Sequence, residues 1–348
     1  MAEHEKYMLR CLQLAGQGRG HVSPNPLVGC VVVHNGVIIG EGYHRKYGGP
    51  HAEVNALMSV ANSALLPEST LYVNLEPCSH FGKTPPCADL IISYAVKRVV
   101  VSASDLNPLV AGRGIKKLQD AGIEVIQGIL KQESLNLNAR FYTFHQQRRP
   151  YVILKWAQSA DGFIDKLRQP DDGQKPQWIT NDYCRRLVHK WRTEEDAFLV
   201  GTHTAILDNP QLTARLWYGR QPLRVAIDYN ASLPATLHIF DKTAPSLLFC
   251  NTMRSDAEVE IIDLDNHVAA QICERLYARG IQSLVVEGGR RTLDLFIEAG
   301  LWDEARIFTG PASFGAGVHA PELHQIPVSE SVYGNTLLSM YKNAVPHG

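Results

Sequence analysis

One histidine and two cysteines restrict this chain more than any other feature. His51-Ala52-Glu53 opens a stretch with helical apolar spacing, and Pro77-Cys78 and Pro86-Cys87 follow the next β-rich run. A neutral imidazole and two thiolates are good zinc ligands, so a fold that uses them must bring a helix start and two later loop positions to one point. Three protein ligands leave the fourth tetrahedral position for water, which suits a catalytic site rather than a closed structural one. Zinc lowers the pKa of water until hydroxide is available near neutrality. Glu53, in the first turn of the same helix, is placed to accept a proton from that water and pass it to a leaving amine. Taken singly, each cysteine reads equally as a buried core thiol and His51 as a helix-start residue. Together, in this order, they read as one zinc site.

The rest of the chain is consistent with a two-domain α/β protein. Its 348 residues correspond to about two domains. Helical spacing from Glu5 to Gly16 is followed by two β-rich runs around Asn35-Gly36, a pair that tolerates the positive φ angles of a tight hairpin. Strands and helices then alternate through IEVIQGIL, which predicts a mixed sheet covered by helices on both faces. The polar, basic segment His145–Pro150 is the candidate boundary, giving domains 1–145 and 146–348. Beyond it YVILKWA, DAFLVG, RVAIDY, PSLLFC, SLVVEGG and DEARIFTG read as strands. NDYCRRLVHKWRTE, AAQICERLYARG and RTLDLFIEAG read as helices, making a second α/β domain.

Composition narrows the function classes. Lys+Arg is 34 and Asp+Glu 35, a net charge of −1, so no global field draws the chain to nucleic acid or an anionic membrane. Hydrophobic residues are 45% and charged residues 20%, which excludes disorder as the main description. There is no apolar run long enough to span a bilayer, and the amphipathic N-terminus lacks the apolar centre of a secretory signal. Seven cysteines, an odd and sparse set, read as reduced thiols of a cytoplasmic protein.

The order H-x-E, P-C, C is the signature of zinc-dependent deaminases acting on nucleobases. Their usual C-x-x-C is replaced here by eight residues, SHFGKTPP, between Cys78 and Cys87. With that loop, the runs PNPLVGCVVV, HAEV and PCSHFGKTPPC resemble the bifunctional riboflavin-biosynthesis deaminase/reductase family, the RibD type. DLNPLVAGRG, RPYVILKWAQSADG, WIT, DNPQLTAR and VVEGG continue the match in order over nearly the whole chain. The resemblance implies a cytidine-deaminase-like three-layer α/β/α domain followed by a dihydrofolate-reductase-like α/β domain. It implies zinc-dependent deamination of a diaminopyrimidinone ribosyl phosphate, then NADPH-dependent reduction of the ribosyl group to ribityl. By motif, His51, Cys78 and Cys87 would hold zinc and Glu53 would shuttle the proton. Asn25 would bond the pyrimidine edge, or else is a turn residue between prolines. His44, His80 and Lys83 would receive the phosphate, as cationic or protonatable donors suit a dianion.

For the second half, the resemblance places the cofactor on Ala157, Trp178, Thr204, Asp208 and the stretch Gly289, Arg290, Arg291, Thr292, Leu293, Asp294 and Leu295. It places substrate on Arg192, Leu212, Arg215 and Glu287, the two arginines as phosphate clamps. Glycines at 288–289 between a strand and a helix let backbone N–H groups approach a phosphate, although such a pair also serves as a plain tight turn. No G-x-G-x-x-G is present, so a Rossmann domain is not indicated. Asp208 is a candidate acid–base or orienting carboxylate, or a structural cap of the Asp-Asn-Pro turn. Pro176 stands where the family usually has serine, Ala160 where it has leucine, and Arg290-Arg291 is an unusual pair.

Three other readings compete. A nucleic-acid or nucleoside deaminase would call for C-x-x-C and a basic face, neither of which the sequence offers. A zinc-stabilised scaffold would call for a fourth ligand or a lost Glu53. An active deaminase joined to a drifted reductase half is the third. The expected partner is a small phosphorylated pyrimidine, with no nucleic acid and no membrane. The family's reductase domains pair, which implies a homodimer or higher assembly.

Overall fold

Runs of β-branched residues fall where the sheets form. The computed structural model describes residues 2–79, 85–104, 112–168 and 178–343, and divides into units Met1–Gln147 and Arg148–Gly348.

In the first unit β1 (Gly29–His34) and β2 (Val37–Tyr43) form the expected hairpin, with Asn35 and Gly36 at φ 48° and 78°. Both turn residues are left-handed, as a type I′ turn requires. With β3 (Thr70–Leu75), β4 (Arg98–Ala103) and β5 (Glu124–Gln127) the sheet order is β2-β1-β3-β4-β5. β1 is antiparallel to both neighbours, and β3, β4 and β5 run parallel. Side-chain alternation sends Cys30, Val32, Val73 and Val101 to one face. There they meet Ala56 and Leu57 of α2 (Ala52–Met58), Ile91 of α3 (Cys87–Ser93) and Leu118 of α4 (Arg113–Asp120). Val31, Val33, Tyr72 and Val100 point the other way, onto Met8, Cys11 and Leu14 of α1 (Ala2–Gly16). Both faces are covered, so the unit is a three-layer α/β/α domain.

The polar segment at 145–150 is less of a linker than its composition predicts. After α5 (Lys131–Leu137), helix α6 (Ala139–Gln147) takes in His145 and its two following glutamines. The chain turns at Arg148, φ 53°, and Arg149 is already buried, donating to both carboxylate oxygens of Asp303 at 2.7 Å.

The second unit starts with β6 (Tyr151–Gln158) and β7 (Phe163–Asp165), then α7 (Asp182–Glu194), β8 (Ala197–Val200) and α8 (Thr202–Asp208). It continues with β9 (Leu223–Asp228), β10 (Ser246–Cys250), β11 (Val259–Ile261), α9 (Val268–Ala278), β12 (Ser283–Glu287) and α10 (Arg290–Glu298). It closes with β13 (Glu304–Thr309), β14 (Val318–His319), β15 (Ser329–Tyr333) and β16 (Thr336–Lys342). The main sheet has the order β11-β10-β9-β8-β12-β6-β13-β16-β15, parallel from β11 to β13 and antiparallel at the β16-β15 edge. Leu154, Val225, Val286, Ile272 and Phe296 build the core on one face, and Val200, Ala226, Leu237 and Leu248 that on the other. In open parallel sheets ligands bind outside the carboxyl ends of the strands. Gly201, after β8, and Glu287 and Gly288, at the end of β12, lie at that rim.

Among the described residues no helix is long and apolar enough to cross a membrane, and all seven cysteines are free.

Candidate active sites

The metal ligands of the first unit come from two helix starts and one strand exit. His51 caps α2 in extended conformation, Cys87 opens α3 behind Pro86, and Cys78 follows β3. The strand exit is pinned by Glu76, whose buried carboxylate accepts the N–H groups of Gly112, Gly114 and Ile115 at 3.0, 2.9 and 3.3 Å. This satisfies orphan donors at the start of α4 and fixes Pro77 against that helix.

His51 Nδ1 lies 3.3 Å from Cys87 Sγ and 3.6 Å from Cys78 Sγ. Tetrahedral zinc with Zn–N of about 2.0–2.1 Å and Zn–S of about 2.3 Å has N···S edges of roughly 3.5 Å, so the donor set fits that ion. Among the described residues this is the one His/Cys/Asp/Glu group with ligand atoms gathered closely enough to hold a metal. The Cys87 N–H donates to Cys78 Sγ at 3.3 Å. Sharing of the Cys87 thiol proton, with help from His51, pulls the Cys78 thiol well below its ordinary value. Glu53, 3% exposed beside this group, is pushed up to about 7 by burial and by the charge on Cys78. A carboxyl poised near neutrality can both take and give a proton.

Asn25 and His44 meet the same site. His44 Nδ1 is 3.0 Å from the Pro50 carbonyl and must donate to it, so Nε2 accepts the Asn25 side-chain N–H at 3.0 Å. One N–H of the Asn25 side-chain amide is thereby engaged, and its oxygen can act as an acceptor. His44 is buried, its pKa is lowered by burial, and its ring lies edge-on to His51 at 5.5 Å. Both ring nitrogens of His44 are thus engaged within the protein, by Pro50 and by Asn25. His80 and Lys83 lie outside the described residues.

In the second unit Glu287 is the hub. It accepts from Lys155 Nζ at 2.8 Å and from Arg192 at 2.9 Å. Burial would raise its pKa, but Arg192 and Lys155 outweigh that and hold it well below the usual carboxylate range. Arg192 also donates to the Thr213 carbonyl at 3.3 Å, which ties it to the segment carrying Leu212 and Arg215. Asp208 pairs with Arg168, which also holds Asp165; burial raises the Asp208 pKa against that pairing.

Glycines shape the rim beside them. A Cβ on Gly201 would lie 2.2 Å from Thr292 Oγ1, and Gly288 sits at φ 140°. The Gly289 N–H donates to Thr204 Oγ1 at 2.9 Å. Backbone without side chains at two adjacent strand ends, each opening a helix, fits a pyrophosphate. Thr204, Gly289 and Thr292 are thus together as expected. Leu293 is fully buried in the core and donates its N–H to the Gly289 carbonyl at 3.3 Å, so its side chain does not reach a ligand. Arg290 pairs with Asp294 at 3.1 Å, and Trp178 is 60% exposed with the Arg185 guanidinium 4.6 Å above its ring.

A family model of the cytidine and deoxycytidylate deaminase zinc-binding region matches residues 1–103, and one of the RibD C-terminal domain matches residues 150–338. The riboflavin biosynthesis protein RibD of Aquifex aeolicus is 40% identical over 94% of this chain and 92% of its own. That of Escherichia coli is 37% identical over 90% and 89%. The crystal structure of a diaminohydroxyphosphoribosylaminopyrimidine deaminase/5-amino-6-(5-phosphoribosylamino)uracil reductase from Thermotoga maritima superposes with TM-score 0.88 at 37% identity, covering 98% of this chain and 99% of that one.

The chain belongs to the RibD family.

It is therefore a bifunctional enzyme of riboflavin biosynthesis, with a zinc-binding deaminase domain before a reductase domain. No local sequence pattern marks Lys155, His189 or Gln221. Lys155 stood in the quoted run YVILKWA, but nothing local marks it as the partner of Glu287, which is 132 residues away.

Proposed function

We propose that this chain converts a 2,5-diamino-6-ribosylamino-4(3H)-pyrimidinone 5′-phosphate in two steps, one in each unit. The observation that carries the first step is the His51–Cys78–Cys87 triad at zinc spacing with buried Glu53 beside it. Zinc held by these three residues would supply the site with an acidified water. Glu53 takes the proton of the attacking water at its carboxylate and returns it to the amine, which leaves as ammonia. Asn25, its amide nitrogen engaged with His44, turns an acceptor oxygen to the donor edge of the pyrimidine.

In the second unit Gly201, Thr204 and Gly288–Thr292 would cradle NADPH, which supplies the hydride that reduces ribose C1. The ring C–O bond opens and its oxygen takes a proton, leaving a ribityl chain. Glu287, oriented by Lys155 and Arg192, would meet the sugar, and Arg192 and Arg215 the phosphate. Asp208, held by Arg168, orients the cofactor side.

Seven free thiols fit a reducing cytoplasm. The β15 edge, with Val332 71% exposed, supports a homodimer or higher assembly. The test is E53Q. It is expected to keep zinc and NADPH oxidation on pre-deaminated substrate while losing ammonia release; retained ammonia release would remove Glu53 from the mechanism.

A further inference from the structure

Helix α7 carries Arg185, His189 and Arg192 at i, i+4 and i+7, one face of the helix. Arg192 reaches Glu287. His189, 4% exposed, reaches the segment that carries Arg215. Its Nδ1 accepts the Arg215 backbone N–H at 3.1 Å, with that of Leu216 at 3.5 Å. The ring also hydrogen-bonds the Thr213 backbone. A ring nitrogen that accepts an N–H carries no proton, so the proton of this neutral imidazole is on Nε2.

The segment needs such an anchor. Leu212 is in the left-handed region at φ 53°, a strained conformation for a bulky residue. Gln221 holds both polar backbone groups of Ala214, at 2.7 and 3.2 Å, and Arg192 holds the Thr213 carbonyl. The Arg215 guanidinium is itself under stress: burial, then Arg192 and Arg185, lower its pKa. Cations that repel one another stay at a set separation only if their backbones are fixed before an anion arrives.

The geometry points to His189 as a positioning residue of the reductase site, one that fixes the Arg215 backbone and so sets the spacing of the Arg192–Arg215 clamp on a phosphorylated substrate. This rests on the reading of Arg192 and Arg215 as that clamp.

Asparagine puts its amide oxygen where Nδ1 stands, whereas glutamine reaches toward the place of Nε2. The test uses the full zinc-loaded chain, with NADPH and the aminouracil ribosyl phosphate, and deaminase kinetics as an internal control. H189N is expected to hold the reductase KM within about threefold of wild type. H189Q is expected to raise KM about tenfold with kcat changed less than about threefold, and both variants keep the deaminase unchanged. R215A is expected to raise KM at least as much as H189Q. An unchanged KM in R215A overturns the clamp reading. A raised KM in R215A with H189Q at wild-type KM overturns the positioning role alone. Equal impairment of H189N and H189Q also overturns it, since that is what a space-filling imidazole predicts. If H189Q does not fold, H189N decides, and a tenfold rise in its KM overturns the proposal.

Discussion

Glu53 and His189 are both buried titratable side chains, and their surroundings push them in opposite directions for different work. Removing the Glu53 carboxylate charge by E53Q should lower deaminase kcat by about 10²–10⁴-fold with the zinc content unchanged, read by ammonia release and metal analysis. His189 is pulled down from 6.5 to about 4, by burial first and then by Arg192 and Arg215, with Glu287 opposing. Its pKa is lower folded than unfolded, so the unfolded chain binds the proton more readily between these values. The stability it contributes is complete above about 6.5 and is lost as pH falls toward 4. The Tm of the reductase unit should therefore drop between pH 7 and pH 5, and drop less in H189N. An equal drop in both would contradict the assignment. The gathering of His51, Cys78 and Cys87 with Glu53 close by was legible in the sequence, because H-x-E and paired Pro-Cys are local patterns. His44 and His189 as positioning groups were not, because each acts through backbone or amide groups 6 to 26 residues away.

At the scale of elements, the strand exit that carries Cys78 depends on a close approach that only glycine permits. A Cβ on Gly114 would lie 2.0 Å from the Pro77 carbonyl oxygen, which cannot move without moving Cys78. Gly114→Ala should cost about 1–3 kcal/mol and weaken zinc retention, measured by thermal unfolding and metal competition. Gly16→Ala, where a Cβ meets nothing within 4 Å, should do neither. Strands buried on both faces, such as β1 and β4, were legible as β-branched runs. The β15–β16 hairpin was not, because β15 is an exposed edge whose burial gives no apolar alternation. The end of helix α6 reads as a boundary because His145-Gln146-Gln147 is polar, although Phe141, edge-on to His145 with ring centroids 4.4 Å apart, continues the helical spacing.

For the whole molecule, the two units carry separate chemistries, and the metal belongs to one of them. Chelation of zinc should abolish ammonia release and lower the unfolding temperature of the deaminase unit, while NADPH oxidation on pre-deaminated substrate persists. Loss of both activities on chelation would contradict that separation. The net charge of −1 hides a local gathering of charge: Lys155 and Arg192 both converge on Glu287 at the end of β12. Order, domain count and the zinc triad were legible because they repeat family motifs along the chain. The hub at Glu287 was legible only as a motif residue, since its two cations come from β6 and α7.

The central claim is tested most directly by supplying zinc-loaded protein with the diaminopyrimidinone ribosyl phosphate, first without and then with NADPH. The account predicts stoichiometric ammonia release before NADPH is added, and then one NADPH oxidised per substrate deaminated. No ammonia from the zinc-loaded chain, or ammonia with no later NADPH oxidation, would contradict it.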